Sequence, residues 1–290
     1  MKINICALSD IGKERTNNED TVSVCQDLKK SAWNSSFINN YAVLSSWGAV
    51  SIIADGMGGA NAGEIASALA VENIKESFRS ADYEKILISD NNIYAFLRDC
   101  ISQSNKAILD YVVKSPDSIG LGTTIVLLWV VNRKAYVVWC GDSRCYCFNP
   151  DSGLKLLTKD HSLVQELVDK GAIKAEDAFN HPDNNVITRC LGDVDAEPEP
   201  EILTYNIKDG DIFLLCSDGL CGYCRDSKIE KMMYRHYDNP DECQRSLLQL
   251  ALKEGGQDNI SISLCATLPE VHKKLKIGFI RKIKRFVYRI

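Results

Sequence analysis

Long hydrophobic runs are missing from this sequence of 290 residues. No stretch approaches the roughly 18–20 consecutive apolar residues that a membrane-spanning helix needs. The first ten residues, from Met1 to Asp10, also lack an extended apolar run, so we expect no secretory signal peptide. Internal repeats and low-complexity tracts are absent as well. These absences favour a globular protein of the cytoplasm.

Cysteine is plentiful, but its arrangement does not indicate disulfides or a metal framework. The twelve cysteines are scattered through apolar segments as well as loops, which indicates reduced thiols in a cytoplasm. Cys221 and Cys224 have the spacing of a redox pair or of half a zinc site. A zinc site would need a second such pair, and Cys145 and Cys147 match it poorly because one residue separates them. We interpret the cysteines as small buried side chains.

Charge is distributed unevenly along the chain. The formal net charge is −5, but residues 271–290 contain eight of the 34 Lys and Arg residues and no Asp or Glu. The rest of the chain therefore has 26 basic side chains against 39 acidic ones. An acidic body argues against nucleic acid as a partner.

The apolar pattern predicts strands that come mostly in hairpins and long helices that come in pairs. Strands are predicted at 3–8, 21–25, 50–54, 123–131, 135–140, 144–148, 154–157, 211–217 and 260–267, and helices at 62–78, 91–114, 226–236 and 239–254. This pattern favours antiparallel sheets covered by helices over a parallel array. We expect one domain at 1–268 and a tail at 269–290. The long polar excursion at 160–192 predicts a flap.

The clearest local motif is a carboxylate at the end of a buried strand. Val50–Ala54 is a short, β-branched apolar run, Asp55 follows it, and three of the next four residues are glycine. From Ala62 onward the spacing becomes helical. A phosphate-binding P-loop fits poorly, because no Lys-Ser or Lys-Thr follows the glycines. The alternative is that Asp55 only caps a turn.

Further acidic positions occupy the same kind of setting, beside a glycine or an amide where a strand ends or the chain turns. They are Glu19-Asp20, Asp142 after Gly141, Asp218 before Gly219 and Asp258 before Asn259. Carboxylates gathered in one place repel one another unless cations neutralise them. All-oxygen ligands suit Mg²⁺ or Mn²⁺ rather than tetrahedral zinc. Taken alone, each aspartate would more often have only a structural role in a turn.

Two such ions a few ångströms apart could activate a water molecule and bind a phosphoryl group. Arg15 would suit a role as a phosphate ligand, because its guanidinium is fork-shaped.

The motifs, in sequence order, resemble those of the metal-dependent serine/threonine phosphatase family, PP2C or PPM, over about residues 3–267. They are Arg15…Asn18-Glu19-Asp20, Asp55-Gly56-Met57-Gly58-Gly59, Leu121-Gly122-Thr123-Thr124, Gly141-Asp142-Ser143-Arg144, Asp160-His161-Ser162, Ile187-Thr188-Arg189-Cys190-Leu191-Gly192, Ser217-Asp218-Gly219-Leu220 and Asp258-Asn259.

The resemblance implies an α+β fold, a four-layer α/β/β/α sandwich of two antiparallel sheets flanked by antiparallel helix pairs. It also implies two bound Mn²⁺ or Mg²⁺ ions, with a third, weaker ion as in bacterial-type members. Asp55 would bridge the first two ions, and the carbonyl of Gly56 would hold one of them. Asp218 and Asp258 would hold the other.

The remaining roles implied by the resemblance belong to the N-terminal loop and to the Gly-Asp-Ser-Arg motif. Glu19 or Asp20 would contact an ion directly or through water, Asp142 would help to bind the third ion, and Arg15 would bind the substrate phosphate. Arg15 and Asp55 are thus the predicted catalytic residues. The implied reaction is hydrolysis of phosphoserine or phosphothreonine in a protein by a water or hydroxide that bridges the two ions.

Two departures from the family pattern affect this prediction. Animal-type members have a His, a candidate acid for the leaving group, where Met57 stands here, whereas bacterial-type members usually have Met. We expect the proton to come from a metal-bound water; His161 is an alternative acid, although a structural role in a turn is favoured for it. The stretch 26–48 is longer than the compact pattern of the family, and its purpose is open.

The tail at 271–290 is basic and amphipathic. Ile280, Ile283, Val287 and Ile290 share one face of a predicted helix. Such a helix could lie on an anionic membrane surface, bind an acidic partner or fold onto the acidic body of the protein.

We predict a monomeric enzyme of the cytoplasm, with possible peripheral contact with a membrane, that acts on the phosphorylated products of a Ser/Thr kinase. Two alternatives remain open. One is a catalytically silent regulatory module on the same fold, although every expected carboxylate is present. The other is a phosphatase for small molecules or phosphotyrosine.

Overall fold

The computed structural model describes residues 1–36, 41–58 and 63–268. The predicted basic tail at 269–290 lies outside the described residues, as does the predicted helix start at Ala62. Within the described ranges, the chain forms two antiparallel β-sheets and the helices that cover them.

The strands are β1 (Lys2–Asp10), β2 (Asp20–Cys25), β3 (Trp33–Asn34), β4 (Ala42–Val43), β5 (Ala49–Met57), β6 (Gly122–Thr123), β7 (Ile125–Val131), β8 (Lys134–Cys140), β9 (Arg144–Asn149), β10 (Gly153–Leu156), β11 (Glu201–Asn206), β12 (Ile212–Cys216) and β13 (Ile260–Leu268). The helices are α1 (Gly63–Arg79), α2 (Tyr83–Ile86), α3 (Asp90–Lys114), α4 (Leu163–Asp169), α5 (Ala175–Ala178), α6 (Asp218–Cys221), α7 (Asp226–His236) and α8 (Pro240–Lys253), with a 3₁₀ turn at Pro116–Ser118.

The two sheets have different strand orders. One runs β10-β9-β12-β13-β1-β4, and the other runs β11-β8-β7-β5-β2-β3, with β6 paired to β5. Neighbouring strands pair in the antiparallel sense. Because several neighbours, such as β1 and β13, are far apart in the sequence, the residues that meet at one end of a sheet come from distant parts of the chain. Asn132 and Arg133 have positive φ angles of 50° and 60° in the turn between β7 and β8, which is the conformation that a two-residue hairpin favours.

Apolar side chains fill three layers between the sheets and the helices. Trp129 lies in the layer between the β7-containing sheet and helices α1 and α3, Phe213 lies between the two sheets, and Phe148 lies between the other sheet and helices α7 and α8. All three are fully buried, and burying a side chain of this size contributes about 1.5–3 kcal/mol. The resulting helix–sheet–sheet–helix order confirms the predicted α/β/β/α sandwich.

Strand β7 shows how the sequence produces two of these layers. All of its residues are apolar and buried. Successive side chains of a strand point to opposite faces. Leu127 and Trp129 therefore face the helices, whereas Val126 and Leu128 face the other sheet. A strand covered on both faces is an unbroken apolar run, which is how residues 125–131 read in the sequence.

The segment 26–48, to which the sequence assigned no purpose, packs against helices α1 and α2. The ring of Trp47 stacks on Tyr83 at 4.3 Å between centroids, and Trp33 contacts Phe78 edge to face at 6.2 Å. The indole Nε1 of Trp129 donates a hydrogen bond to the carbonyl of Trp47 at 2.9 Å. Residues 37–40 of this segment lie outside the described part of the chain.

The predicted flap lies between β10 and β11 and contains α4 and α5. An antiparallel bridge between Ser162 and Ile187 joins the two ends of this segment. A second bridge, between Leu191 and Thr123, joins the segment to β6. Across residues 1–36, 41–58 and 63–268, no helix is long and apolar enough to cross a membrane.

Candidate active site

Five aspartates from strand ends and turns gather at one end of the sandwich. Asp20 begins β2 and Asp55 lies near the end of β5, where the two residues are direct partners across the antiparallel pairing. Asp218 follows β12, Asp258 precedes β13, and Asp142 follows β8. The charges of Asp20, Asp218, Asp142 and Asp258 all act on Asp55, so the fold brings the predicted metal ligands together.

This crowding makes the carboxylates hard to ionise. Burial, followed by the charges of the neighbouring aspartates, raises the pKa of Asp55 well above its ordinary value. Burial and then the charges of Asp142 and Asp258 do the same to the pKa of Asp218. Burial raises the pKa of Asp20 to about 6 and that of Asp142 to about 7. A divalent cation would remove the repulsion that these shifts reflect.

Three oxygens of this cluster lack a partner. Within the described part of the chain, one buried carboxylate oxygen of each of Asp20, Asp142 and Asp218 has no hydrogen-bond donor. Buried polar groups of native proteins are nearly always satisfied, so these carboxylate oxygens are available to a cation or a water molecule. The donor set is all oxygen, as Mg²⁺ and Mn²⁺ prefer.

The described residues contain no ready-made group of three or more His, Cys, Asp or Glu side chains arranged to hold a metal ion. Hard cations commonly complete their coordination with backbone carbonyls and water. Asp55 lies within hydrogen-bonding reach of both Asp20 and Asp218. The residues present therefore fit a carboxylate site that water completes, but not a site built from side chains alone.

Hydroxyl side chains form hydrogen bonds with Asp20 and with the backbone of Asp55. Ser217 Oγ donates to Asp20 Oδ2 at 2.9 Å, which leaves the other oxygen of Asp20 free. Thr124 Oγ1 accepts the backbone N–H of Asp55 at 3.1 Å and lies 2.8 Å from Ser143 Oγ. Strand β5 is thereby tied to the turn that contains Asp142.

Gly56 lies where three backbone segments meet. Its N–H donates to the carbonyl of Glu19 at 3.2 Å. A Cβ at Gly56 would stand 2.2 Å from the carbonyl oxygen of Gly63 and 2.6 Å from that of Glu19. Only glycine fits at such a distance, so the glycine after Asp55 allows the loop before β2 and the start of α1 to approach the site. Burial, the largest influence, raises the pKa of the Glu19 side chain.

Asn259 holds the N-terminal loop against the site. Its Oδ1 accepts the N–H of Glu19 at 2.8 Å, and its Nδ2 donates to the carbonyls of Ile11 and Asn17, both at 3.0 Å. The side chain is almost completely buried, at 4% exposure. The neighbour of Asp258 in sequence therefore positions Glu19 and the loop that contains Arg15.

Arg15 extends from that loop into the acidic cluster. Its Nη2 donates to Asp258 Oδ2 at 2.8 Å, and its side chain is 52% exposed. The hydrogen bond with Asp258 raises the pKa of the Arg15 guanidinium above its ordinary value. Because a guanidinium has five N–H donors, one bond to Asp258 leaves others for an incoming phosphate.

Arg144 joins the Asp142 turn to the base of the flap and to α7. It forms a two-pronged ion pair with Asp160, with Nε and Nη2 at 2.9 and 2.7 Å from the carboxylate oxygens. Its Nη1 donates to Tyr146 Oη at 3.0 Å and lies 3.6 Å from Asp226. This network begins at Arg144, two residues after Asp142.

His161 is engaged on both ring nitrogens. Nδ1 accepts the backbone N–H of Gly141 at 3.1 Å, and Nε2 lies 3.2 Å from a carboxylate oxygen of Glu201. Its ring packs against Trp139, and burial lowers its pKa. These contacts favour a structural role at the flap base. Met57, at the end of β5, has a thioether that carries no proton to donate.

The cysteines form neither disulfides nor paired metal ligands. All twelve are free thiols, and eleven of them, Cys221 and Cys224 included, are buried. Burial raises the pKa of Cys224 to about 12, so this thiol stays protonated and unreactive.

Several supporting residues received no role from the sequence. They are Ser217, Ser143, Arg144, Asn259 and Thr124, of which the first four stand within one or two positions of a predicted ligand. That adjacency was the available signal. Nothing in the spacing shows which neighbour turns inward to hold the ligand.

The fold is that of bacterial serine/threonine phosphatases. The chain is 32% identical over 256 residues to the serine/threonine phosphatase stp of Listeria innocua, which covers 88% of this chain and 92% of that protein. The S. agalactiae serine/threonine phosphatase structure superposes with a TM-score of 0.77 at 30% identity and covers 91% of this chain and 98% of that one.

A third comparison concerns the metal. The catalytic domain of the phosphatase PstP, solved in complex with 2 manganese ions, superposes with a TM-score of 0.72 at 30% identity and covers 92% of this chain and 99% of that one. The family model for Protein phosphatase 2C matches residues 7–260. This chain belongs to the protein phosphatase 2C family. The resemblance read from its motifs is confirmed, and the protein is an enzyme, a bacterial-type protein phosphatase.

Proposed function

We propose that this phosphatase hydrolyses phosphoserine and phosphothreonine in proteins with two Mn²⁺ or Mg²⁺ ions held at the aspartate cluster. The observation that carries the proposal is the set of buried, unpartnered carboxylate oxygens on Asp20, Asp142 and Asp218, in a cluster whose pKa values are raised by burial and mutual repulsion. The manganese ions in the PstP structure support the choice of metal.

The chain supplies oxygen ligands from several directions. Asp55 and the carbonyl of Gly56 would contact one ion, with Asp55 shared by the second, and Asp218 and Asp258 would contact that second ion. Glu19 or Asp20 would complete the set, directly or through water, and Asp142 would help to hold a third, weaker ion. When bound, the two ions would provide an activated water and stabilise the charge that develops on the phosphoryl oxygens.

Arg15 would bind the phosphate with the N–H groups that Asp258 leaves free. The bond to Asp258 fixes the guanidinium beside the ligands, so that a phosphate held by Arg15 lies next to the cluster. Asn259 holds the loop of Arg15 in place, which reduces the ordering cost of substrate binding.

The leaving alkoxide needs a proton that neither Met57 nor His161 is well placed to give. Met57 carries no acidic proton, and both nitrogens of His161 are engaged by Gly141 and Glu201. The protein therefore leaves this proton transfer to water in the site, and it uses His161 to fix the flap base.

The direct test is phosphate release from a phosphothreonine peptide by the full chain with Mn²⁺, with Mg²⁺ and with EDTA. We expect release with either metal, no release with EDTA, and none from Asp55→Asn or Asp218→Asn at any metal concentration. Calorimetric titration of Mn²⁺ into the parent and both variants supplies a readout independent of turnover. A folded parent protein that binds neither metal and releases no phosphate would favour the regulatory-module alternative.

Four further predictions remain proposals. They are a single catalytic domain at 1–268, a flap at 160–192 that shapes substrate access, a monomeric state, and a role for residues 271–290 in contact with a membrane surface or an acidic partner. The substrates would be proteins phosphorylated by a Ser/Thr kinase. Sedimentation of the full chain and of a chain ending at residue 268, with and without anionic vesicles, tests the last two.

A further inference from the structure

A groove opens between the flap and the body and leads to the aspartate cluster. Its volume is about 630 Å³. Its walls are helices α4 and α5 on the flap side and the segment 218–226 on the other. Asp142 and Asp218, each with an unpartnered carboxylate oxygen, line the same groove. A peptide chain bound at the catalytic site would therefore have room to extend along it.

One contact spans this groove. The guanidinium of Arg225, just before α7, lies over the ring of Phe179 at the end of α5, with 4.4 Å from Cζ to the ring centroid. A guanidinium placed over an aromatic ring is attracted by the negative face of the ring, so this contact needs no carboxylate partner. The contact with Phe179 therefore holds the guanidinium of Arg225 at the groove without using an anion of the protein.

Arg225 differs from the other arginine of the groove. Arg144 is held by Asp160 and Tyr146 and lies near Asp226. Among the groove-lining residues that the structure describes, Arg225 is the cation that forms no ion pair with a carboxylate. An exposed guanidinium that is held at the groove and has no anionic partner among the described residues is suited to bind an anion from outside the protein.

The acidic residues of the groove do not cancel this charge. The carboxylate of Asp160 is engaged by both prongs of Arg144. Asp226 is adjacent to Arg225 in sequence, but one of its oxygens accepts the hydroxyl of Tyr146 at 2.9 Å and lies 3.6 Å from Arg144. Asp142 and Asp218 belong to the cluster where metal ions are proposed to bind.

We propose that Arg225, oriented by Phe179, is a specificity-determining residue that binds an anionic group of the substrate near the phosphorylated residue. The anionic group is a carboxylate or a second phosphate, since both accept two parallel N–H bonds from a guanidinium. This inference rests on the proposed function, because it concerns the substrate of the same site. It predicts that the enzyme prefers phosphopeptides with an acidic or doubly phosphorylated sequence.

The test compares phosphothreonine peptides that differ at one position. Glu, phosphoserine, Gln or Lys is placed in turn at each of the three positions on either side of the phosphothreonine. We expect at least one position at which Glu or phosphoserine raises kcat/KM over Gln by about twofold to fivefold, the effect of one exposed ion pair. If Glu gives the larger gain in kcat/KM, the bound group is a carboxylate; if phosphoserine does, it is a phosphate.

The variants decide whether Arg225 causes the preference. In Arg225→Gln, the Glu-to-Gln ratio of kcat/KM should fall to about one, and in Arg225→Glu the preference should shift to Lys. The matched control is Arg98→Gln, an exposed arginine on α3, which should keep the parent ratio. Phe179→Leu keeps an apolar side chain without the aromatic face, and it should reduce the ratio by less than Arg225→Gln does.

Two results would overturn the inference: a parent enzyme indifferent to flanking charge, or a preference that persists in Arg225→Gln. The failure of the proposed function is a separate outcome. If the parent releases no phosphate from any of the peptides with either metal, peptide binding by fluorescence anisotropy still tests Arg225. Equal affinity for the Glu and Gln peptides would then exclude the role of Arg225, whereas tighter binding of Glu peptides, lost in Arg225→Gln, would support it.

Discussion

Asp20 and Asp55 are direct partners across two neighbouring antiparallel strands. Partners in such a pair have their side chains on the same face of the sheet, close together. Two acidic residues opposite each other destabilise a sheet unless a cation or a proton lies between them. The pair thus connects metal binding to the stability of the protein.

Asp55→Asn should separate stability from activity. In EDTA, we expect the variant to be more stable than the parent by about 1–2 kcal/mol, because one of two opposed carboxylates is gone. With Mn²⁺, turnover should fall by at least roughly 100-fold, since the stabilisation that a metal site supplies is worth several kcal/mol. Urea unfolding and phosphate release measure the two effects. Turnover within a few-fold of the parent would remove the metal role of Asp55.

The aspartate cluster should give the metal-free protein an unusual dependence on pH. The pKa of Asp142 is raised by burial to about 7 and that of Asp20 to about 6, so the folded state retains protons that the unfolded state has already released. These groups make their full contribution to the free energy of unfolding below about pH 4, and this contribution is lost as the pH rises through about 6 to 7. Stability in EDTA should therefore fall over this range, and saturating Mn²⁺ should restore more of it at neutral pH than at about pH 5.

A variant isolates this contribution from the other titrating groups. In EDTA, Asp142→Asn should gain stability over the parent between about pH 5 and pH 7.5, on the order of 2 kcal/mol. Asp117→Asn, at an exposed position on the 3₁₀ turn, serves as the control and should show no such gain. A constant difference between Asp142→Asn and the parent across this range would contradict the prediction.

Arg15 should affect substrate binding far more than folding. Its side chain is 52% exposed and its one ion pair within the described residues is with Asp258, so Arg15→Ala should change the free energy of unfolding by no more than about 0.5 kcal/mol. KM for a phosphopeptide should rise by roughly tenfold as the phosphate loses its fork-shaped ligand. Arg15→Lys, which keeps the charge but not the fork, should fall between Arg15→Ala and the parent. An unchanged KM in both variants would leave Arg15 without its assigned role.

Asn259 should be important for both the fold and the site. Asn259→Ala would leave the N–H of Glu19 and the carbonyls of Ile11 and Asn17 without their partner, at a cost of about 2–4 kcal/mol. The affinity for Mn²⁺ should fall as well, because Glu19 and its loop lose their attachment. Asn73→Ala, which removes one hydrogen bond within α1, is the control and should alter neither quantity appreciably. Unfolding in urea and Mn²⁺ titration test the prediction.

Trp47 should be purely structural. It precedes β5, whereas Asp55 lies near the other end of that strand. Trp47→Ala removes the stack on Tyr83 and should cost about 2–3 kcal/mol, while Trp47→Phe, which keeps an aromatic face, should cost less than half of that. kcat with saturating Mn²⁺ should be unchanged in both. A drop in kcat larger than the loss of folded protein would show that the segment 26–48 communicates with the site.

Much of the sandwich could be predicted from the sequence because its strands and helices carry strong periodicity. Strand β7 is an unbroken apolar run, and α3 repeats apolar residues at helical spacing, so both are visible without tertiary information. The predicted strand at 123–131 is split in the structure, since Thr124 turns its hydroxyl and its N–H toward Asp55. Strand β11 was not predicted, because its residues are all partly exposed and lack a clear alternation.

The predicted ligands are recognisable because each carboxylate stands beside a glycine or an amide at a strand end. The contacts that hold these predicted ligands in position are not recognisable from the sequence in the same way. The hydrogen bond from Ser217 to Asp20 and the contact of Arg225 with Phe179 join residues that are far apart in the sequence. Such contacts depend on how the two sheets and the flap are placed relative to one another. Local patterns do not contain that information.

The attachment of Asn17 to Asn259 spans 242 positions of the chain, and β1 pairs along its whole length with β13. Closing so long a loop must precede any gain from the contacts that it brings together. The two sheets are therefore expected to fold as one cooperative unit, slowly for a protein of this size. A chain cut between β5 and β7 would yield two fragments, neither of which contains all the proposed metal ligands. Activity should return only when the fragments associate, so the enzyme is a natural candidate for a split-protein reporter.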